Sequence, residues 1–324
     1  MNKLIIITGP TASGKTKTSI AIAKMIENDF KKNAAIVNFD SLLFYKEISI
    51  GTAKPDLHER AGIEHHLIDI ASIASPMNAA EFIALGQNKI EELFAQNKTV
   101  ILVGGSAFYL RALLKGMYQS AKVSVEIKQK LDSWFKNDGI KPFLDFLAIH
   151  DPQSLDNLHV NDHYRLIRAV EHFEVTGTKI SDQKKVLDEL DPYDFSQIIH
   201  PWNILHLYLD LPKEEHFQII LSRARDMFEK GLIEEIKQLQ KLGFTLNEKP
   251  LSSIGYKEAL EHIRGAIPTL EQCIERTAIS TRQLAKSQRT FFNKITPKES
   301  FNPLRDQDSI LRKAALFLGN SYEP

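Results

Sequence analysis

Leu4-Ile5-Ile6-Ile7-Thr8 followed by Gly9-Pro10-Thr11-Ala12-Ser13-Gly14-Lys15-Thr16 decides the fold of this 324-residue chain. The octapeptide fits G-x4-G-K-[ST] and stands between an apolar β-type run and a helical pattern, the context in which that spacing carries meaning. Its glycines let backbone N–H groups converge on phosphate oxygens. The helix start adds positive potential, Lys15 adds a point charge, and the Thr16 hydroxyl can ligate magnesium. The stretch Gly9 to Thr16 therefore reads as a diphosphate cradle. A glycine turn with an exposed lysine is the bland alternative, and the flanking strand and helix weigh against it. The motif alone leaves the ligand open, because nucleoside triphosphates and other diphosphates present the same oxygens.

Working outward, Ala35 to Phe39 and Thr99 to Val103 read as further buried parallel strands, and 15 to 28, 77 to 96 and 106 to 115 as helices between them. That is an α/β fold with a P-loop NTPase-like parallel sheet flanked by helices. After Gly116 the pattern turns helical, charged and amphipathic, punctuated by Asp151-Pro152 and Asp191-Pro192. We expect a mostly helical inserted domain over 119–197, with the core formed by 1–118 and 198–296. Ile204 to Leu209 reads as a strand, and helices are expected over 213–242 and 268–292. Residues 297–324, with Pro297 and Pro303, are expected to form a loosely attached tail with one short helix.

With 43% apolar and 25% charged residues the chain can bury a substantial core. Its only cysteine, Cys273, excludes an internal disulfide and a multi-cysteine zinc site, so a reducing cytoplasm is the expected address. The apolar start is too short for a signal peptide or a membrane span, so no membrane partner is expected. Lysine plus arginine (41) balance aspartate plus glutamate (41), so any nucleic-acid surface must be local. One local excess exists: Arg276, Arg282, Lys286, Arg289 and Lys294 run without an acidic residue among them. His58, His65 and His66 lack metal-binding spacing and read as structural.

Absences narrow the cradle's ligand. A hydrolysing nucleotidase usually carries an apolar strand ending in aspartate for magnesium, yet the Thr99 strand ends in Gly104-Gly105-Ser106. D-x-x-G and N-K-x-D, the marks of a GTP switch, do not occur. The second strand ends at Asp40-Ser41, and ligands of doubly wound sheets bind at the carboxyl ends of strands. Gly9, Asp40 and Gly104 should thus open onto one cleft, with Asp40 a magnesium ligand, a general base or a turn cap. Tyr45, Phe108 and Tyr109 are compatible with base stacking or with core packing.

Further strings make the pattern more particular: Ile50-Gly-Thr-Ala-Lys-Pro55, His65-His-Leu-Ile-Asp69, Leu102-Val-Gly-Gly105 with Tyr109, Asn161-Asp162 with Arg165-Leu-Ile-Arg168, Ile254-Gly-Tyr-Lys-Glu258 and Thr281-Arg-Gln-Leu-Ala-Lys286. With the cradle and Asp40-Ser41, they resemble the tRNA dimethylallyltransferase family, in order, over about residues 4 to 292. The single cysteine matches the bacterial form, without a zinc finger.

The resemblance implies that dimethylallyl diphosphate occupies the cradle with Mg2+. The acceptor it implies is the exocyclic N6 amine of the adenosine beside the anticodon (position 37), in tRNAs reading codons that begin with U. It implies that Asp40 takes the amine proton, that Thr11 donates toward the diphosphate bridging oxygen, and that Arg223 steadies the departing diphosphate, with Arg225 the alternative. Asp40, Ser41, Leu42 and Leu43, together with Ser106, would contact the flipped adenosine and its neighbours. Leu43 stands where many relatives have glutamine, and Ser106 where threonine is common. Arg282, Lys286 and Arg289, at i, i+4 and i+7, would form one phosphate-facing helical stripe, with Gln283 on a neighbouring face. Arg165 and Arg168 belong to the insertion that would hold the anticodon stem-loop. A monomer is expected.

Two rival readings remain at this stage. A P-loop kinase explains the cradle but not the basic carboxyl-terminal helix. A non-catalytic tRNA-binding protein explains that helix but leaves Asp40 and Thr11 idle.

Overall fold

The computed structural model describes residues 2–117, 123–183 and 191–322. Two compact units make up the chain, Met1–Leu114 with Ile198–Pro324, and Lys115–Gln197. The first residue expected of the insertion, 119, lies outside the described residues.

In chain order the larger unit opens with β1 (Asn2–Thr8), α1 (Lys15–Asn28), β2 (Ala34–Asn38), β3 (Glu64–His66), α2 (Ala79–Ala95), β4 (Thr99–Val103) and α3 (Ala107–Lys115). The helical unit contains α4 (Val125–Asp138), α5 (Lys141–His150), α6 (Pro152–Asn157) and α7 (His163–Thr176). The larger unit resumes with β5 (Trp202–Leu209), α8 (Lys213–Glu229), α9 (Leu232–Lys241), α10 (Tyr256–Ile263), α11 (Leu270–Phe292), β6 (Glu299–Phe301) and α12 (Gln307–Leu318).

The six strands form one sheet in the order β3-β2-β4-β1-β5-β6, and every pairing is parallel. Leu4 to Ile7 have no solvent exposure, because β1 is hydrogen-bonded on both sides, with Ile5 level with Ile101 of β4 and Leu205 of β5. A strand covered on both faces must be apolar at every position, which is why the run does not alternate. Ile22 and Ile26 of α1 pack with Ile5 and Ile7 on one face, together with Ile310 and Ala314 of α12. Each such buried side chain contributes about 1.5–3 kcal/mol. Helices α8 to α11 form a second core around Ile220, Ile236, Tyr256 and Ile274.

Three expectations need correction. The tail is no loose appendage: β6 pairs with β5 through Tyr208 and Ser300, and α12 buries Ile310, Leu311, Ala314 and Ala315. The expected helix over 213–242 is two helices, because Gly231 adopts φ 99° and starts α9 in a left-handed conformation that interrupts α8. Strand β3 was not expected at all. Its residues Glu64, His65 and His66 form a three-residue edge with Ile36 level with His65, and short polar edges carry little β signal. The neighbouring Asp69 accepts an ion pair from Lys54 at 2.5 Å, and His65 Nδ1 lies 2.8 Å from the Ile63 carbonyl.

The helical unit has its own core of Leu131, Phe143, Leu147, Leu166 and Val170. Asp151, almost fully buried, accepts from the hydroxyls of Ser154 and Ser181 at 2.6 and 2.5 Å, which satisfies the carboxylate where water cannot. Pro152 starts α6, the position where a missing N–H costs nothing.

Candidate active site

Four parallel strands deliver four loops to one sheet edge. Strand β1 leads into Gly9, β2 into Asp40, β4 into Gly104, and β5 into Asp210.

The cradle is built on three unusual backbone positions, Gly9 at φ 154°, Ala12 at 63° and Gly14 at 81°. A Cβ at Gly9 would run into the Leu209 carbonyl of the neighbouring strand end. Gly14 precedes α1 with no side-chain cap, and the first turn of that helix holds no acidic residue. The helix amino terminus therefore keeps free N–H groups and positive potential for an anion. Thr16 is exposed at this opening. The Lys15 ammonium folds back to donate to the Gly9 and Pro10 carbonyls at 3.0 and 2.7 Å. Burial lowers its pKa to about 8, with Asp40 opposing that shift and Arg223 adding to it.

Asp40 is held by its neighbours rather than by a catalytic partner. Its N–H donates to Asn38 Oδ1 at 2.9 Å, while Asn38 Nδ2 donates to the Asp40 and Leu67 carbonyls. One carboxylate oxygen accepts from the Leu42 N–H at 3.2 Å. The other has no protein hydrogen-bond partner among the described residues. Asp40 thus caps a turn, one of the roles its sequence position left open, and still offers a free oxygen to the cleft. Ser41 N–H donates to Ser106 Oγ at 3.2 Å, which ties the β2 end to the β4 end. Leu42 and Leu43 follow, both partly exposed. A Cβ at Gly104 would lie 2.7 Å from the Phe39 ring and 2.9 Å from the Asp40 nitrogen. That close approach explains the missing strand-end aspartate: the space is filled by the segment that carries Asp40.

Arg223, on α8, feels the charges of Asp40 and Glu59, which offset part of a pKa lowering caused mainly by burial. Arg223, Lys15 and Asp40 therefore act on one another across one cleft. Arg225 instead donates to Glu271 at 2.7 Å in an exposed pair. Of the two alternatives, Arg223 is the one whose charge acts on Lys15 and Asp40, while Arg225 is engaged with Glu271.

The basic stripe on α11 has exposed members and an ion-paired one. Arg282 lies over the Phe217 ring at 5.0 Å. Arg282, Gln283 and Lys286 are exposed and line a cleft of about 480 Å³ with Lys213, Phe217 and the partly buried Arg289. Arg289 lines this cleft while ion-paired within the protein. Its Nε donates to Asp210 Oδ1 at 2.7 Å, and a terminal nitrogen donates to the Leu211 carbonyl at 3.3 Å. The helical wheel gave the side correctly, but Asp210 waits on that side near the helix end. In the helical unit, Arg165 follows the α7 cap Asp162 and lies 3.4 Å from its carboxylate, while Arg168 pairs with Glu171.

Three residues that shape the site, Gln288, His216 and Glu235, were not singled out in the sequence. Gln288 and His216 both bond the Thr11 peptide. Glu235 accepts from the amides of Ser49, Ile50 and Gly51, and its partner Tyr256 donates to it while accepting from Gly51 at 3.1 Å. The Gly-Thr-Ala-Lys-Pro string is thereby pinned to α9 and α10. Tyr45 is buried in the core, Tyr109 is partly buried and packs edge-on against Phe82 at 4.8 Å, and Phe108 is exposed. A cavity of about 220 Å³ lies beside Gly14 and Thr18, walled in part by Pro303 and Leu304 of the carboxyl-terminal segment.

The profile of the IPP transferase family matches residues 43–295. Among curated proteins, a "tRNA dimethylallyltransferase 2" of Geotalea uraniireducens is 36% identical over 292 residues, covering 90% of this chain and 89% of that protein. The tRNA dimethylallyltransferase of Alkaliphilus oremlandii is 35% identical over 308 residues, covering 95% and 93%. Among solved structures, the full-length tRNA isopentenylpyrophosphate transferase of Bacillus halodurans superposes with a TM-score of 0.69 at 28% identity, covering 98% of this chain and 96% of that one. A eukaryotic dimethylallyltransferase acting on tRNA gives a TM-score of 0.79 at 27% identity, covering 100% and 81%. The sheet edge that gathers Gly9, Asp40 and Gly104 is thus set in a chain alike in sequence and fold over nearly its whole length, and the protein belongs to the IPP transferase family.

Proposed function

We propose that this protein transfers the dimethylallyl group of dimethylallyl diphosphate to the N6 amine of the adenosine next to the anticodon, position 37, in tRNAs reading codons that begin with U. The observation that carries this reading is the pairing of an uncapped phosphate cradle with a half-free carboxylate, Asp40, at one sheet edge.

The reaction forms a bond between N6 and the allylic carbon and breaks the bond from that carbon to the bridging oxygen. The diphosphate leaves with the electron pair, and Asp40 takes the N6 proton through its free oxygen. Thr11 donates toward the bridging oxygen, and Lys15, Arg223 and the α1 amino terminus stabilise the charge that grows on the diphosphate. Adenine N6 is a weak nucleophile, so the fixed geometry of Asp40 contributes through positioning as well. The fixed turn Ser41-Leu42-Leu43 and Ser106 would receive the extruded adenosine. Arg282, Gln283 and Lys286, and in the helical unit Arg165 and Arg168, would meet the tRNA backbone.

Magnesium fits this donor set as an ion carried mainly by the diphosphate. Thr16 offers an exposed hydroxyl, and among the described residues no cluster of three or more His, Cys, Asp or Glu side chains could hold a metal by itself. Thr16 would help hold such an ion, which would supply charge neutralisation for the leaving group. No helix among the described residues is long and apolar enough to cross a membrane. A cytoplasmic monomer is the form we propose.

The test offers labelled dimethylallyl diphosphate and labelled ATP in parallel to the full chain with magnesium and unmodified tRNA. Label from the diphosphate donor should enter tRNA at the adenosine beside the anticodon. ATP turnover without labelled tRNA would replace this reading with a kinase.

Lys15 gives the reading a pH signature. The free site is protonated below about 8 and neutral above it, and the diphosphate selects the protonated form. Affinity for dimethylallyl diphosphate without tRNA should hold below that point and then fall by up to about tenfold per pH unit above it. Calorimetric titration from pH 7 to 9.5 measures this, and a flat profile would take Lys15 out of diphosphate binding.

A further inference from the structure

We propose that Gln288 and His216 are positioning residues for the prenyl transfer, holding the Thr11 peptide from two elements so that its hydroxyl stays aimed at the departing diphosphate. The inference rests on the role given to Thr11 above.

Gln288 of α11 joins two strand-end loops with one amide. Its Oε1 accepts from the Thr11 N–H at 2.7 Å, and its Nε2 donates to the Gly105 carbonyl at 2.9 Å. Only a side chain with both a donor and an acceptor at that length can do this. Gly105 leaves the room, since a Cβ there would lie 2.6 Å from Gln288 Nε2. The same bond consumes the Thr11 amide, so the contribution of Thr11 to the diphosphate is its hydroxyl.

His216 of α8 holds the other end of the residue. Its Nε2 lies 2.8 Å from the Thr11 carbonyl, and its Nδ1 lies 2.5 Å from the Arg289 guanidinium. Arginine only donates, so Nδ1 is the acceptor and Nε2 carries the proton. Burial, with Arg289 alongside, holds the ring below its ordinary pKa and hence neutral at pH 7. Asp210 in turn holds Arg289. The residue that follows, Ala12, sits at φ 63°, a conformation that survives only where its surroundings impose it. Two side chains from distant elements hold the residue before it, Thr11.

The test is a double-mutant cycle on single-turnover transfer by the full chain with dimethylallyl diphosphate and tRNA. Thr11→Ala should slow transfer by about 30- to 100-fold, and Gln288→Ala by about tenfold with KM for the donor within about threefold. Thr11→Ala with Gln288→Ala should be no slower than Thr11→Ala alone. Multiplied effects in the double variant would overturn the proposal. An unchanged rate for Thr11→Ala would instead remove Thr11 from the chemistry and this inference with it. His216→Gln, which places an amide donor where Nε2 was, should recover most of the rate lost in His216→Ala. Equal rates for these two variants would also overturn it.

Discussion

Asp40→Asn is expected to slow single-turnover dimethylallyl transfer by about 10²- to 10⁴-fold, the range for loss of a positioned general base, while tRNA affinity changes less than about threefold. Asparagine is the informative choice. Its side-chain oxygen can still accept from the Leu42 N–H, as Asp40 does at 3.2 Å, so the turn and the bonds to Asn38 persist. What disappears is the basic oxygen facing the cleft. Filter binding for tRNA and rapid quench for transfer separate the two quantities. A rate within a factor of about three of the parent would assign Asp40 to the turn alone.

Arg223→Ala should lower kcat by about 10²- to 10³-fold, the usual loss on removing one donor from developing negative charge. The matched control is Arg225→Ala. That side chain forms an exposed pair with Glu271, of the kind that contributes less than about 1 kcal/mol, and its removal should leave kcat within about twofold. Arg223 also depresses Lys15, so in Arg223→Ala the pH above which diphosphate affinity falls should move upward. Equal kcat losses in the two arginine variants would return the assignment to Arg225.

The parts of this site that were legible in sequence are the local ones. Gly9 to Thr16 and Asp40-Ser41 announce themselves because a phosphate turn and a strand end are made by neighbours in the chain. β1, β2 and β4 were readable for the same reason, each being an apolar run short enough to be a strand. The carboxyl-terminal segment misled because its three-residue strand, Glu299–Phe301, has no pattern of its own and exists only through pairing with β5. The Arg289 ion pair was not legible because helical periodicity says which side a residue faces and is silent about Asp210 standing there. Gln288 and His216 were invisible, since the groups they bond are backbone atoms of Thr11, and a backbone atom leaves no mark in the sequence.

The Gln288 bond to Thr11 crosses 277 positions, and that distance is also an interval of time. Ribosomes add about 5–20 residues per second, so the cradle is translated roughly 15–55 s before the side chain that steadies it. A nascent chain therefore carries the phosphate motif long before it carries a working site. Prenyl transfer at full rate becomes a late event in the life of each molecule, one that waits for α11 to arrive.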